Sequence, residues 1–276
     1  MDYEDQHDLE LKRELNRRYG EEGPKQYEAA QRRRRFYLRL AALLVFFLFL
    51  ATVAGTWLKT FHYPSLSFIR ESLALSREPL VRELSQAVVQ VETASRGTVQ
   101  KAAAQWKGTG FNIEPYGLIV TNRHLVEEAD HITVSFSREG RYSARVWYWL
   151  DGADLAVIVL DGASELPVVH PDFHYTLTDG EAVLVIGNPL SFTGIALRGR
   201  VCSADLPGPT GEAIAMIEAP IHPGHSGSPL FNEAGSVVGV VYASVTVADR
   251  DEPAGLAVLL PALRDLLDSL NLELST

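Results

Sequence analysis

The sequence predicts an all-β domain carried behind one membrane-spanning helix, and three observations predict it. From residue 85 onward, short β-rich runs recur between Gly, Pro, Asn and Asp. Many short strands at turn-bounded spacing indicate a sandwich or a barrel. No long helical periods alternate with those runs, which disfavours a doubly wound α/β sheet. Ahead of them, residues 40–58 contain no charged side chain.

The first 35 residues hold nine acids and nine bases. Glu and Arg/Lys recur there at helical spacing, so a solvated helix can form. Large apolar residues are too few for a core, and the composition reads as a flexible or marginally helical tail.

Residues 36–59 read as a transmembrane helix. About 20 apolar residues at 1.5 Å rise cross a hydrocarbon core of about 30 Å. Phe36 and Tyr37 flank one end and Trp57, Phe61 and Tyr63 the other, as interfacial aromatics do. A cleaved signal peptide is the main competitor. Its basic region would be too long at 35 residues, and its apolar region longer than the usual 7–15 or so. Arg32, Arg33, Arg34, Arg35 and Arg39 mark the cytoplasmic side, with only Lys59 near the far end. The N-terminus is therefore expected inside, and the rest outside, of a cell membrane. The lipid bilayer is thus an expected partner of residues 36–59.

Residues 60–84 read as a stalk, with a helix over 76–86 that has Glu78 and Pro79 near its start. Residues 85–276 form the expected folded domain, closed by a helix in PALRDLLDSLNL.

Charge and cysteine usage exclude several classes. The 276 residues carry 25 Lys+Arg and 35 Asp+Glu, a net charge of −10. Residues 36–84 sum to +2 and residues 85–276 to −12. An acidic outer domain argues against nonspecific binding of nucleic acid. One cysteine, Cys202, rules out an intramolecular disulfide framework. It reads as a small buried apolar residue.

Three local sequences carry chemistry. Thr121-Asn122-Arg123-His124 follows the apolar run GLIV. Asp151-Gly152-Ala153-Asp154 precedes the run LAVIVL. Pro223-Gly224-His225-Ser226-Gly227-Ser228 forms a glycine-rich turn before another strand. They supply His, Asp and Ser in that order. A serine hydroxyl needs an imidazole to take its proton and a carboxylate to orient that imidazole. The oxyanion then needs preset backbone N–H donors. Each piece alone reads as an ordinary loop; their order in an all-β context is the signal.

The same segments resemble the HtrA/Deg branch of the trypsin-like serine proteases over roughly residues 85–272. GTGFNIEPYGLIVTNRHLV, DGADLAVIVL, IEAPIHPGHSGSPLFNEAGSVVGVV and GLAVLLPALRDLLDSL are similar to four ordered family segments. The resemblance implies two perpendicular six-stranded β-barrels, all-β, with the active site in the cleft between them. It implies His124 as general base, Asp154 as its orienter and Ser226 as nucleophile. Backbone N–H groups of Gly224 and Ser226, with His225 as a further candidate, would form the oxyanion hole. Asp151 and Asp161 are rival carboxylates, but only Asp154 precedes the motif's Leu-Ala-Val. Ser228 is the rival hydroxyl and lacks the preceding Gly-x.

The resemblance also implies an endopeptidase acting on unfolded or membrane-associated polypeptides, without metal or other cofactor, and a homotrimer as one assembly. It places the primary pocket at Ile217, Glu218, Ala219, Pro220 and Ile221 and at Val240, Val241, Tyr242 and Ala243, favouring small or medium aliphatic side chains. His225 and Ser228 depart from the family's usual Asn or Asp and Gly, and Glu218 and His222 from its usual Asp and Asn. These departures bear on the oxyanion turn, and a catalytically silent binding module on the same barrels is the alternative. The chain ends a few residues past the closing helix, so no PDZ domain is expected. An α/β-hydrolase esterase is disfavoured, because its triad runs Ser, Asp, His.

Three further segments have ordinary readings. His170-Pro171-Asp172-Phe173-His174 reads as a polar loop, since no ligand motif accompanies it. Trp147, Tyr148 and Trp149 read as barrel-wall aromatics. Gly187-Asn188-Pro189 reads as a turn, and it resembles the family's Gly-x-Pro loop near the substrate cleft.

Overall fold

The computed structural model describes residues 3–20, 22–60, 66–96, 104–188, 194–246 and 253–270. It divides into two compact units, residues 1–64 and 65–276.

Among its described residues the first unit holds two helices, α1 (Tyr3–Tyr19) and α2 (Glu22–Thr60). The charged tail is therefore helical, as its i,i+4 pattern permits. Within α2, Arg32–Val53 is long and apolar enough to cross a membrane, and none of it is buried against protein.

Among the described residues of the second unit, the β-rich runs form twelve strands in two closed antiparallel barrels. The first contains β1 (Val88–Ser95), β2 (Ala104–Asn112), β3 (Leu118–Thr121), β4 (His131–Phe136), β5 (Gly140–Trp149) and β6 (Ala156–Leu160), in the order β1-β2-β3-β6-β5-β4. The second contains β7 (Ala182–Gly187), β8 (Ile195–Pro207), β9 (Ala213–Glu218), β10 (Pro229–Phe231), β11 (Val237–Val245) and β12 (Ala254–Leu259). Its order is β10-β11-β12-β9-β8-β7. Closure leaves no unpaired edge. The fold is the expected trypsin-like pair.

Strand composition follows which faces are covered. In β3 and β6 every residue is buried. Ile119 and Ile158 point into the first barrel, whereas Leu118, Val120, Val157 and Val159 point outward to the second. A strand buried on both faces reads as an unbroken apolar run. Val120 and Val157 meet Ile186, Phe231 and Val240 in a core shared by both barrels. That shared core sets the barrels side by side and so fixes the cleft.

The stretch expected as a stalk is partly folded onto this domain. Residues 66–87 form α3 (Leu66–Leu75) and α4 (Pro79–Ala87). Val81, Leu84 and Ala87 recur on one face of α4 and enter the shared core with Leu75. Ser72 Oγ accepts the Ala196 N–H at 3.0 Å, and Arg198 pairs with Glu78 at 2.7 Å. The closing helix is α6 (Leu260–Ser269), with Leu260, Leu263, Leu266 and Leu267 buried.

Trp147 packs against the first-barrel core, while Tyr148 and Trp149 stay exposed. Cys202 is half-buried rather than a core residue. The 170–174 segment is a connector: Pro171 bridges Val237, and Arg264 lies 5.1 Å over the Phe173 ring.

Candidate active site

His124 follows β3 on a short helix, α5 (Arg123–Val126). Asp154 sits in the β5–β6 turn. Antiparallel pairing of β3 with β6 matches Thr121 to Ala156, which brings the two residues together. Asp154 Oδ2 lies 2.7 Å from His124 Nδ1, and Oδ1 accepts the His124 backbone N–H at 3.0 Å. Buried Asn122 donates its side-chain N–H to Asp154 O at 2.8 Å, fixing the turn from below. The His124 side chain is 42% exposed and that of Asp154 22%. The imidazole therefore faces the cleft while its partner is covered.

Among the described residues, Asp154 and neither rival carboxylate pairs with the His124 ring. Asp151 pairs with Arg123 at 3.2 Å on the exposed rim. Asp161 is exposed at the far end of β6, its N–H bonded to Ser143 O.

Ser226 lies in the β9–β10 connection, next to the helix that carries His124. A methyl group on Gly108 would stand 2.4 Å from Leu125 Cδ1 and 3.1 Å from Ser226 O. The residue after His124 and the Ser226 carbonyl thus meet over one bare α-carbon.

The turn around Ser226 is tightly specified. His225 N–H donates to His222 O at 3.1 Å across Pro223-Gly224. Gly224 has φ +101°. Pro followed by Gly at positive φ is the type II turn pattern. Gly227, at φ +86°, admits no side chain: its Cβ would lie 1.9 Å from Thr109 O. Gly227 N–H bonds Val241 O at 2.8 Å, and Ser228 N–H bonds His225 O at 2.9 Å. Among the described residues, the amides of Gly224 and Ser226 have no protein acceptor. The His225 amide points back into the turn.

His225 itself is buried. Burial pushes its imidazole down from 6.5 to about 4, against an opposing hydrogen bond with the His222 backbone; the charge of His222 lowers it slightly further. The ring is neutral near pH 7. Ser228 is buried as well, with its hydroxyl unpartnered among the described residues.

The sequence-derived pocket residues divide. Ile217, Ala219, Ile221 and Val241 enter the second-barrel core, and Val240 enters the shared core. Glu218 is exposed; Pro220 and Ala243 are half-buried. Tyr242 does line a cavity of about 240 Å³ beside His124 and Asp154. Burial, then Glu212 and Asp154, raise its phenol above the usual value. The cavity also has Asp151, Pro209, Thr210 and Glu212 in its wall. Thr210 Oγ lies 2.8 Å from Gly152 O, joining the β8–β9 turn to the Asp154 turn. The strand pattern carried no local signal for that long-range contact.

Residues 108–240 match the family described as trypsin-like peptidase domain. Over that stretch the chain is similar to trypsin-like serine protease domains. Its relatives are DegP and HtrA proteases. A probable periplasmic serine endoprotease DegP-like of Pseudomonas savastanoi pv. phaseolicola is 38% identical over 149 residues, covering 53% of this chain and 31% of that protein. The serine protease HTRA1B of Danio rerio is 29% identical over 189 residues, covering 66% of this chain and 38% of its own. The chain thus spans about a third of the length of the curated relatives it matches. Among solved structures, the active form of Rv3671c protease from M. tuberculosis superposes with a TM-score of 0.61 at 23% identity. It covers 74% of this chain and 88% of that one, a likeness in fold.

Proposed function

We propose that this chain is a membrane-anchored serine endopeptidase that forms an acyl-enzyme on Ser226. The observation that carries the reading is the His124–Asp154 pair at 2.7 Å, set beside a serine turn with two amides left for an oxyanion.

In this reading His124 takes the Ser226 hydroxyl proton as Oγ attacks the scissile carbonyl. Asp154 fixes the ring tautomer and stabilises the imidazolium. The carbonyl oxygen becomes an oxyanion and is bound by the Gly224 and Ser226 amides. His124 then protonates the leaving amine, and the C–N bond breaks. Water, deprotonated by His124, releases the acyl group and restores Ser226. The chemistry needs no metal or organic cofactor.

Residues 36–59 would hold the protease in a cell membrane with the N-terminus inside. The basic residues at 32–35 support that orientation. A relative described as periplasmic supports an extracytoplasmic protease domain. Substrates on this reading are unfolded or membrane-associated polypeptides, and a homotrimer is the assembly to test. The experiment is casein cleavage by the full chain in detergent, against Ser226→Ala. Cleavage lost in the variant supports the proposal; equal cleavage by both overturns it.

A further inference from the structure

Thr109 of β2 holds the 222–228 turn from the other barrel. Thr109 is wholly buried. Its N–H donates to Ser226 O at 2.8 Å. Its hydroxyl donates to Gly224 O at 2.7 Å and accepts the Asn188 N–H at 2.9 Å. Its carbonyl accepts the Thr121 hydroxyl at 2.7 Å, and the bare α-carbon of Gly227 rests against that same carbonyl. Every polar group of Thr109 is thus committed, and two of its bonds end on carbonyls of the turn.

Those two carbonyls determine what the turn presents. The Gly224 carbonyl belongs to the peptide plane that also contains the His225 N–H. One end of that plane is tied to Thr109 Oγ, the other to His222 O. The plane lies between the Gly224 and Ser226 amides. A peptide plane is rigid and turns as a unit, so rotating it changes ψ of Gly224 and φ of His225 together. A change in either dihedral without an equal and opposite change in the other swings the neighbouring peptide units, which carry the Gly224 and Ser226 amides.

We infer that Thr109 is a positioning residue that sets the direction of the Gly224 and Ser226 amides through its side-chain hydroxyl. It touches no substrate. The kinetic part of this inference rests on the serine-protease reading; the conformational part does not. Asn188, bonded to the same hydroxyl, couples the segment after β7 to the turn.

The test uses the full chain in detergent with Thr109→Val, Thr109→Cys and Thr109→Ser. Valine keeps the shape and removes the donor; cysteine keeps a weak donor; serine keeps the hydroxyl. Thr109→Val is expected to lower kcat about 10–100-fold with KM within about threefold, the pattern of an interaction made in the transition state. Affinity for a peptide aldehyde, which forms an oxyanion on Ser226, should fall in proportion to kcat. Affinity for the product peptide should hold. Thr109→Ser should restore kcat to within about threefold, and Thr109→Cys should fall between. Selective 15N labelling of glycine and serine reads the turn without catalysis: the Gly224 and Ser226 amide signals should move in Thr109→Val and return in Thr109→Ser. Unmoved signals in a folded Thr109→Val protein overturn the inference. So does a rise in KM alone, or a serine variant as impaired as valine. A wild type as inert as Ser226→Ala sinks the protease reading instead, and the amide signals still decide the role of Thr109.

Discussion

Asp154 holds His124 at two points, ring Nδ1 at 2.7 Å and backbone N–H at 3.0 Å. One carboxylate thereby sets both the ring's tautomer and the start of α5. Asp154→Asn keeps the size but can offer its own N–H to the ring nitrogen, favouring the wrong tautomer. Turnover is expected to fall about 10,000-fold, with Tm nearly unchanged. Steady-state kinetics and a thermal melt check both halves.

Gly227 touches the floor of the same site. Its positive φ and the 1.9 Å approach to Thr109 O leave no room for a Cβ. Gly227→Ala must either shift β2 or open the turn. It should cost about 3 kcal/mol or more in stability and abolish turnover. Denaturant unfolding measures the first and peptide hydrolysis the second.

His225 links stability to pH. Its folded value of about 4 lies below the unfolded 6.5. Between those values the unfolded chain binds the extra proton, so acid favours unfolding. Full stability is present above about pH 6.5 and falls by up to about 3 kcal/mol as pH drops through 4. Unfolding free energies for His225→Asn should lose that slope between pH 6.5 and 4.

Helix α4 is part of the folded unit rather than a tether. Val81 and Leu84 are buried in the core that both barrels share. Leu84→Ala should destabilise the domain by about 2–4 kcal/mol. A chain begun at residue 85 should melt lower than one begun at 65, in a direct comparison of Tm.

The sequence was most legible where one residue type answers one constraint. The unbroken apolar runs of β3 and β6 reflect strands covered on both faces. The His, Asp and Ser segments stand out because turn chemistry concentrates Gly, Pro and Asp around them. The three-residue strand β10 was too short to show a period. Helices α3 and α4 read as a stalk, because nothing in segments of ten and nine residues names the partner they pack on. Ile217, Ala219 and Ile221 stand where the resemblance places a pocket, yet alternation turns them into the barrel core. Thr109 has no signal of its own in the sequence: its role comes from bonds to residues 188, 224 and 226. Such contacts exist only once both barrels have closed.

The central claim is that Ser226 is an activated nucleophile. Labelling of the full chain by a fluorophosphonate, with the modified peptide mapped by mass spectrometry, tests it most directly. A single phosphonate on Ser226, absent from Ser226→Ala and strongly slowed in His124→Ala, is the predicted result. A folded wild type that takes no label, or equal labelling of Ser226→Ala, would contradict the account.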